Sequence, residues 1–197
     1  MNNRKPISHN AVTRRHDALE RLVLDALFAA LTLVLGLYLT VRVGNIIEIS
    51  LSSLPVLFAA FLFGTADALA VAFVGSFLEQ LILFGIGPTT PIWMAPMLLL
   101  ALLAGLLSLP VRRQIRNPLR RRIALAAVTV IAELIFSLSN TVALFLDAWI
   151  YHYSVAALAT LLPARLANWG VRTVITALAI WFLLPPVQKL FAMRKNT

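Results

Sequence analysis

A succession of long apolar runs, separated by short polar breaks, constrains this chain more than any other feature. A helix needs about 20 mostly apolar residues to cross the hydrocarbon core of a bilayer. Runs of that kind, bounded by charges, Pro or Gly, occur at 22–43, 51–63, 66–84, 92–109, 123–146 and 158–184. The second is short and contains Pro55, so it is expected to be tilted, broken or only partly spanning. With 60% hydrophobic and 13% charged residues, the chain falls far from the roughly half apolar, quarter charged soluble domain. It lacks the polar surface to coat a water-exposed globule. The expectation is an all-α integral membrane protein: a compact six-transmembrane-helix bundle over 22–185, between a basic N-terminal segment at 1–21 and a basic C-terminal tail at 186–197. No internal repeat, low-complexity stretch or linker divides it.

The formal charge of +9, from 17 Lys and Arg, suggests nucleic acid until the positions are read. Short loops rich in Lys and Arg stay on the cytoplasmic side. Arg4, Lys5, Arg14, Arg15 and Arg21 precede the first run; Arg112, Arg113, Arg116, Arg120, Arg121 and Arg122 join the fourth to the fifth; Lys189, Arg194 and Lys195 follow the last. The loops at 44–50, 85–91 and 147–157 hold none, and Arg42 ends the first run. Both termini are therefore expected inside, which requires an even number of crossings. Topology and anionic lipid account for the basic loop better than nucleic acid does. The N-terminal run is too long for a signal peptide, contains Asp25 and has no small-residue cleavage site before Arg42.

Without Cys, disulfides, thiolate metal sites and a cysteine nucleophile are excluded. The three His (His9, His16, His152) lie in polar flanks, so no metal site is expected. Polar groups inside the runs carry the functional signal, because ionisable side chains in a bilayer face a protein interior or a watery cavity. Arg165, Asn168, Trp169 and Arg172 fall at i, i+3, i+4 and i+7, on one helical face. Counted from 158, Arg165 would lie about 10 Å and Arg172 about 20 Å into the bilayer. Guanidiniums fork onto carboxylate or phosphate; the alternative is pairing with acids of neighbouring helices. Glu133, Ser137 and Asn140 share a face of the fifth run, and the depth of Glu133 makes it the expected structural partner of Arg172. Asn140 is then left to face a ligand or to join helices. The third run rises to Glu79 and Gln80, and Trp93 opens the fourth as either an interfacial anchor or a stacking wall. Trp149, Tyr151 and Tyr153 are expected as interfacial anchors. Ala26 and Ala30 form a small-xxx-small spacing that admits close helix approach.

Several strings together carry a family likeness. ISLSSLP at 49–55 is followed by the turn at Phe63 and Gly64, Gly75 with Glu79 four residues on, GPTTPIW at 87–93 and AGL at 104–106. Asn140 with Thr141, and Pro163 with Arg165, extend it. This pattern resembles the S components, the substrate-binding membrane subunits of bacterial energy-coupling factor (ECF) transporters, and most nearly the folate type. It departs from that type in having Glu79 where Asp is usual and a loop poor in aromatics.

The resemblance implies a vitamin bound at the extracellular side by Arg165, Asn168, Trp169, Asn140, Glu79, Gln80 and Trp93. It further implies docking through Ala26 and Ala30 onto a transmembrane coupling subunit driven by two ATPases, in the bacterial plasma membrane. The chain itself has no phosphate-binding Gly-rich loop, so it needs no cofactor and ATP is used by partner subunits. A structural or scaffolding membrane protein is the alternative, as is an S component for pantothenate, cobalamin or a thiamin precursor. An enzyme is not expected: Ser76 lies beside Gly75 but no run contains a His, and Asp67 and Asp147 are expected at opposite faces.

Overall fold

A computed structural model of the protein describes residues 9–43, 47–152, 154, 158, 160 and 162–194. Among these residues, six helices and one short hairpin follow in chain order: α1 (His9–Tyr38), β1 (Val41–Val43), β2 (Ile47–Ile49), α2 (Ser53–Leu62), α3 (Thr65–Leu83), α4 (Thr90–Gln114), α5 (Pro118–Tyr151) and α6 (Leu162–Arg194). Four of them, α3 to α6, are long and apolar enough to cross a membrane by length and composition.

Local chemistry sets the breaks. Gly64 turns α2 into α3 at φ 130°, in a region side chains disfavour. Asn117 caps α5 by accepting from the N–H groups of Leu119 (3.0 Å) and Arg120 (3.3 Å), with Pro118 in the first turn. His152 ends the same helix in the left-handed conformation.

Three expected boundaries are corrected. The first helix ends at Tyr38, not at 43: the β-branched Val41, Val43, Ile47 and Ile49 favour extended chain, and β1 pairs antiparallel with β2 in the register Val41↔Ile49, Arg42↔Glu48, Val43↔Ile47. The sixth runs through Pro185 and Pro186 to Arg194 instead of stopping at 184. Val187 packs on the core and Phe191 meets Phe63 edge-on at 5.6 Å, which holds the helix together beyond the prolines. Its start also shifts, from 158 to Leu162.

At ten residues, α2 is about 15 Å long, half the hydrocarbon thickness. Val56, Leu57, Ala59 and Ala60 have no exposed surface, so α2 is apolar all round and forms the centre of the bundle, in contact with α1, α3, α4 and α6. Its last-turn carbonyls would otherwise be orphaned; Arg112 of α4 donates to that of Ala60.

The alternation of long helices places their ends. Phe28, Phe63 and Phe191 join α1, the α2–α3 turn and the last turn of α6 at one end. The α4–α5 connection with its arginines and the end of α6 therefore lie at that end, toward which α1 runs from Phe28 back to its start. The opposite end receives the end of α3, the start of α4, the end of α5 and the start of α6.

Candidate binding site

That opposite end contains a cavity of about 860 Å³, within the size range of small-molecule sites. Glu79 and Gln80 reach it from α3, Trp93 from α4, Asn140 from α5, and Arg165, Asn168 and Trp169 from α6. All seven side chains singled out as ligand-facing thus line one space. Ala26 and Ala30 do not; they lie exposed on α1.

With α6 beginning at Leu162, Arg165 sits in its first turn, about 5 Å along the axis and not the expected 10 Å. Pro163 fits there because a first-turn N–H has no intrahelical acceptor. The Arg165 guanidinium donates to the backbone carbonyl of Asn140 at 3.3 Å, and the residue lines the cavity.

Arg172 lies a further two turns down, at the floor. Its Nη2 stands 2.9 Å from Glu133 Oε2, and its guanidinium lies 4.5 Å over the Phe136 ring. Glu133 is fully buried, and its other oxygen accepts from Ser53 Oγ at 2.6 Å. Ser53 is the first residue of α2, so the positive end of that half-length helix lies near the carboxylate. The charge of Arg172 is spent internally. Among the described residues Arg165 is the one cavity guanidinium without a carboxylate partner.

Trp93 is held in place where it lines the cavity. Its indole N–H donates to Asp147 Oδ1 at 3.1 Å, fixing the ring at the rim between α4 and α5. Trp169 lines the same space with its indole N–H buried and without a hydrogen-bond partner among the described residues. Of the other aromatics, Trp149 is 74% exposed on the outer surface, Tyr151 lines the cavity and Tyr153 lies outside the described residues.

On α1, Gly36 makes room for Glu79: a Cβ there would lie 2.5 Å from Glu79 Oε1. The loop before α4 is occupied with itself, since the Gly87 N–H donates to Thr90 Oγ1 at 2.9 Å and the Thr90 N–H returns to the Gly87 carbonyl at 3.1 Å. No group of three His, Asp or Glu suited to a metal occurs among the described residues.

Sequence reasoning missed Asp147, Ser52, Ser53 and Phe136. For Asp147 a signal existed: it lies seven residues beyond Asn140, continuing the face that carries Glu133, Ser137 and Asn140. Nothing local marks Ser53, whose role depends on where α2 starts within the bundle.

A helical bundle with membrane-length apolar helices and a polar cavity at one end has the architecture of a membrane-embedded substrate-binding subunit. The chain belongs to the family "ECF transporter, substrate-specific component", whose family model matches residues 20–187. No curated protein matches it. Among solved structures, ThiT from Listeria monocytogenes superposes with a TM-score of 0.68 at 20% identity, covering 89% of this chain and 98% of that one. The S-component for biotin from an ECF-type ABC transporter gives 0.56 at 15% identity, covering 86% and 93%. At such identities the likeness is one of fold. The protein is an integral membrane S component of an ECF transporter, a transport family whose members bind a vitamin and work with an ECF module.

Proposed function

We propose that this S component takes up a small, partly planar vitamin with one anionic group from outside a bacterial cell. Arg165 receives the anion, Asn140 and Asn168 bond its polar edge, Trp93 or Trp169 stacks on its ring, and Glu79 or Gln80 accepts from ring amines. The supporting observation is the convergence of these side chains, from four helices, on one cavity of about 860 Å³. In this reading the chain crosses the plasma membrane six times with both termini in the cytoplasm. It holds no cofactor, and a coupling subunit with two ATPases supplies the energy.

The folate assignment is not retained. The strings that suggested it have local structural uses: Gly64 makes a turn, Gly87 and Thr90 start α4, and Gly105 packs where a Cβ would meet the Thr65 backbone at 2.6 Å. Such features build the fold and do not select a vitamin. Neither solved relative is described as a folate carrier.

A second reading has one observation in its favour. The carboxylates of Glu79 and Asp147 both line the cavity and suit a cationic ring. Calorimetric titration of the purified protein with biotin, pantothenate, thiamin, folate and cobalamin distinguishes the two. An anionic ligand is expected to bind; binding of thiamin alone would reverse the assignment, and binding of none would remove it.

A further inference from the structure

At the end remote from the substrate cavity, the first turns of α5 and the last turns of α6 enclose a second, smaller cavity of about 180 Å³. Arg116, Arg121 and Arg122 lie on its lining, together with Leu125, Ile180 and Leu184. The three apolar residues are 2–3% exposed, so cations and a dry apolar wall meet in one recess. Among the described residues, none of the three arginines is paired with a carboxylate. The Arg121 Nε is shielded from solvent and has no hydrogen-bond partner among the described residues. Converging cations repel, and a shielded donor without an acceptor is costly; an anion seated among them relieves both.

We propose that this recess binds the phosphate of an anionic phospholipid. Free phosphate offers the same charge but nothing for the apolar wall. An amphiphile satisfies both, and the neighbouring Leu119, Ile123 and Leu183 are 56%, 53% and 49% exposed, an apolar surface along which acyl chains can run. Basic recesses between transmembrane helices at the cytoplasmic side are suited to such headgroups. The recess is separate from the vitamin cavity, and its occupation does not depend on which vitamin is carried.

The test uses the full-length protein, delipidated in a neutral detergent, with native mass spectrometry for bound lipid and thermal unfolding for its effect. Phosphatidylglycerol is expected to stay bound and to raise the midpoint by several degrees. Phosphatidylcholine at equal concentration, and millimolar inorganic phosphate, are expected to do neither. The double variant Arg121→Gln/Arg122→Gln should weaken phosphatidylglycerol binding by about tenfold or more. Arg113→Gln, an exposed position in the last turn of α4 that does not line the recess, should leave it unchanged. Should the double variant fail to fold, Arg121→Lys/Arg122→Lys keeps the charge, and a several-fold loss through the missing fork is expected. Equal retention of the two lipids, equal stabilisation by inorganic phosphate, or equal losses in Arg113→Gln and the double variant would each overturn the proposal. So would a double variant that keeps its lipid preference but no longer assembles with the coupling subunit, which would assign the arginines to an acidic protein partner.

Discussion

Gly36 and Gly105 both sit where helices approach closely, yet alanine at each should be felt differently. At Gly36 the added Cβ would meet the tip of Glu79, at 2.5 Å from Oε1, and a flexible side chain can swing away. At Gly105 it would meet the Thr65 backbone at 2.6 Å, which cannot. Gly36→Ala is therefore expected to change ligand affinity with little change in melting temperature. Gly105→Ala is expected to cost about 1–3 kcal/mol, as overpacking does, with affinity per folded molecule retained; paired thermal unfolding and titration measure both. Arg165 carries the sharpest prediction at this scale. A charge-assisted bond in a dehydrated site is lost at a cost of about 2–5 kcal/mol, so Arg165→Ala should raise the dissociation constant at least about 30-fold. Arg165→Lys should recover only part of it, since the bidentate fork is gone. An Arg165→Ala protein that binds as tightly as the parent would move the site away from α6.

The floor of the cavity is an arrangement of elements. A helix of half the membrane thickness, α2, starts inside the bundle and brings the Ser53 hydroxyl to Glu133, while α6 brings Arg172 to the other carboxylate oxygen. Non-helical backbone ahead of such a helix is tolerated at membrane depth where it lines a cavity, and Ser50 and Ser52 do so. Removing one partner of a buried pair strands the other, at about 3–5 kcal/mol. Arg172→Ala should therefore lower yield and thermal stability, and adding Glu133→Gln should restore part of the loss. Ser53→Ala should cost less, on the order of 1–3 kcal/mol. A double variant no more stable than Arg172→Ala alone would show that the charge of Glu133 is not what the arginine answers. The pairing of the fifth and sixth runs was legible because a fixed rise per residue converts sequence position into depth. The contribution of Ser53 was not, because no run length reveals how far into the bundle a short helix begins.

At the scale of the whole molecule, the arginines between α4 and α5 lie at one end and the cavity opens at the other; the function proposed above takes the basic end as cytoplasmic. Single Cys introduced at Asn2 and Asn196 should resist an impermeant thiol reagent in intact cells and react after lysis; labelling of either from outside would defeat the six-crossing arrangement. Leu in place of both Ala26 and Ala30, exposed on α1, should prevent close helix approach and abolish co-purification with the coupling subunit while ligand binding persists. Persistence of the complex would reduce that spacing to ordinary helix packing. Cells lacking the coupling module should bind the vitamin without accumulating it, because the chain has no nucleotide-binding loop of its own.

Membrane residence, the helical class and the basic end were determined by the chain alone, because they follow from how each segment partitions between water and lipid, an interaction with solvent that needs no knowledge of the other segments. The shared faces of Arg165 with Arg172 and of Glu133 with Asn140 were likewise set by helical periodicity. The tertiary structure alone decided that Asp147 holds Trp93, that Arg165 lies in the first turn of α6, and that Glu133 answers both Ser53 and Arg172. Those contacts depend on the relative depth and rotation of helices of unequal length, which packing between residues distant in sequence establishes.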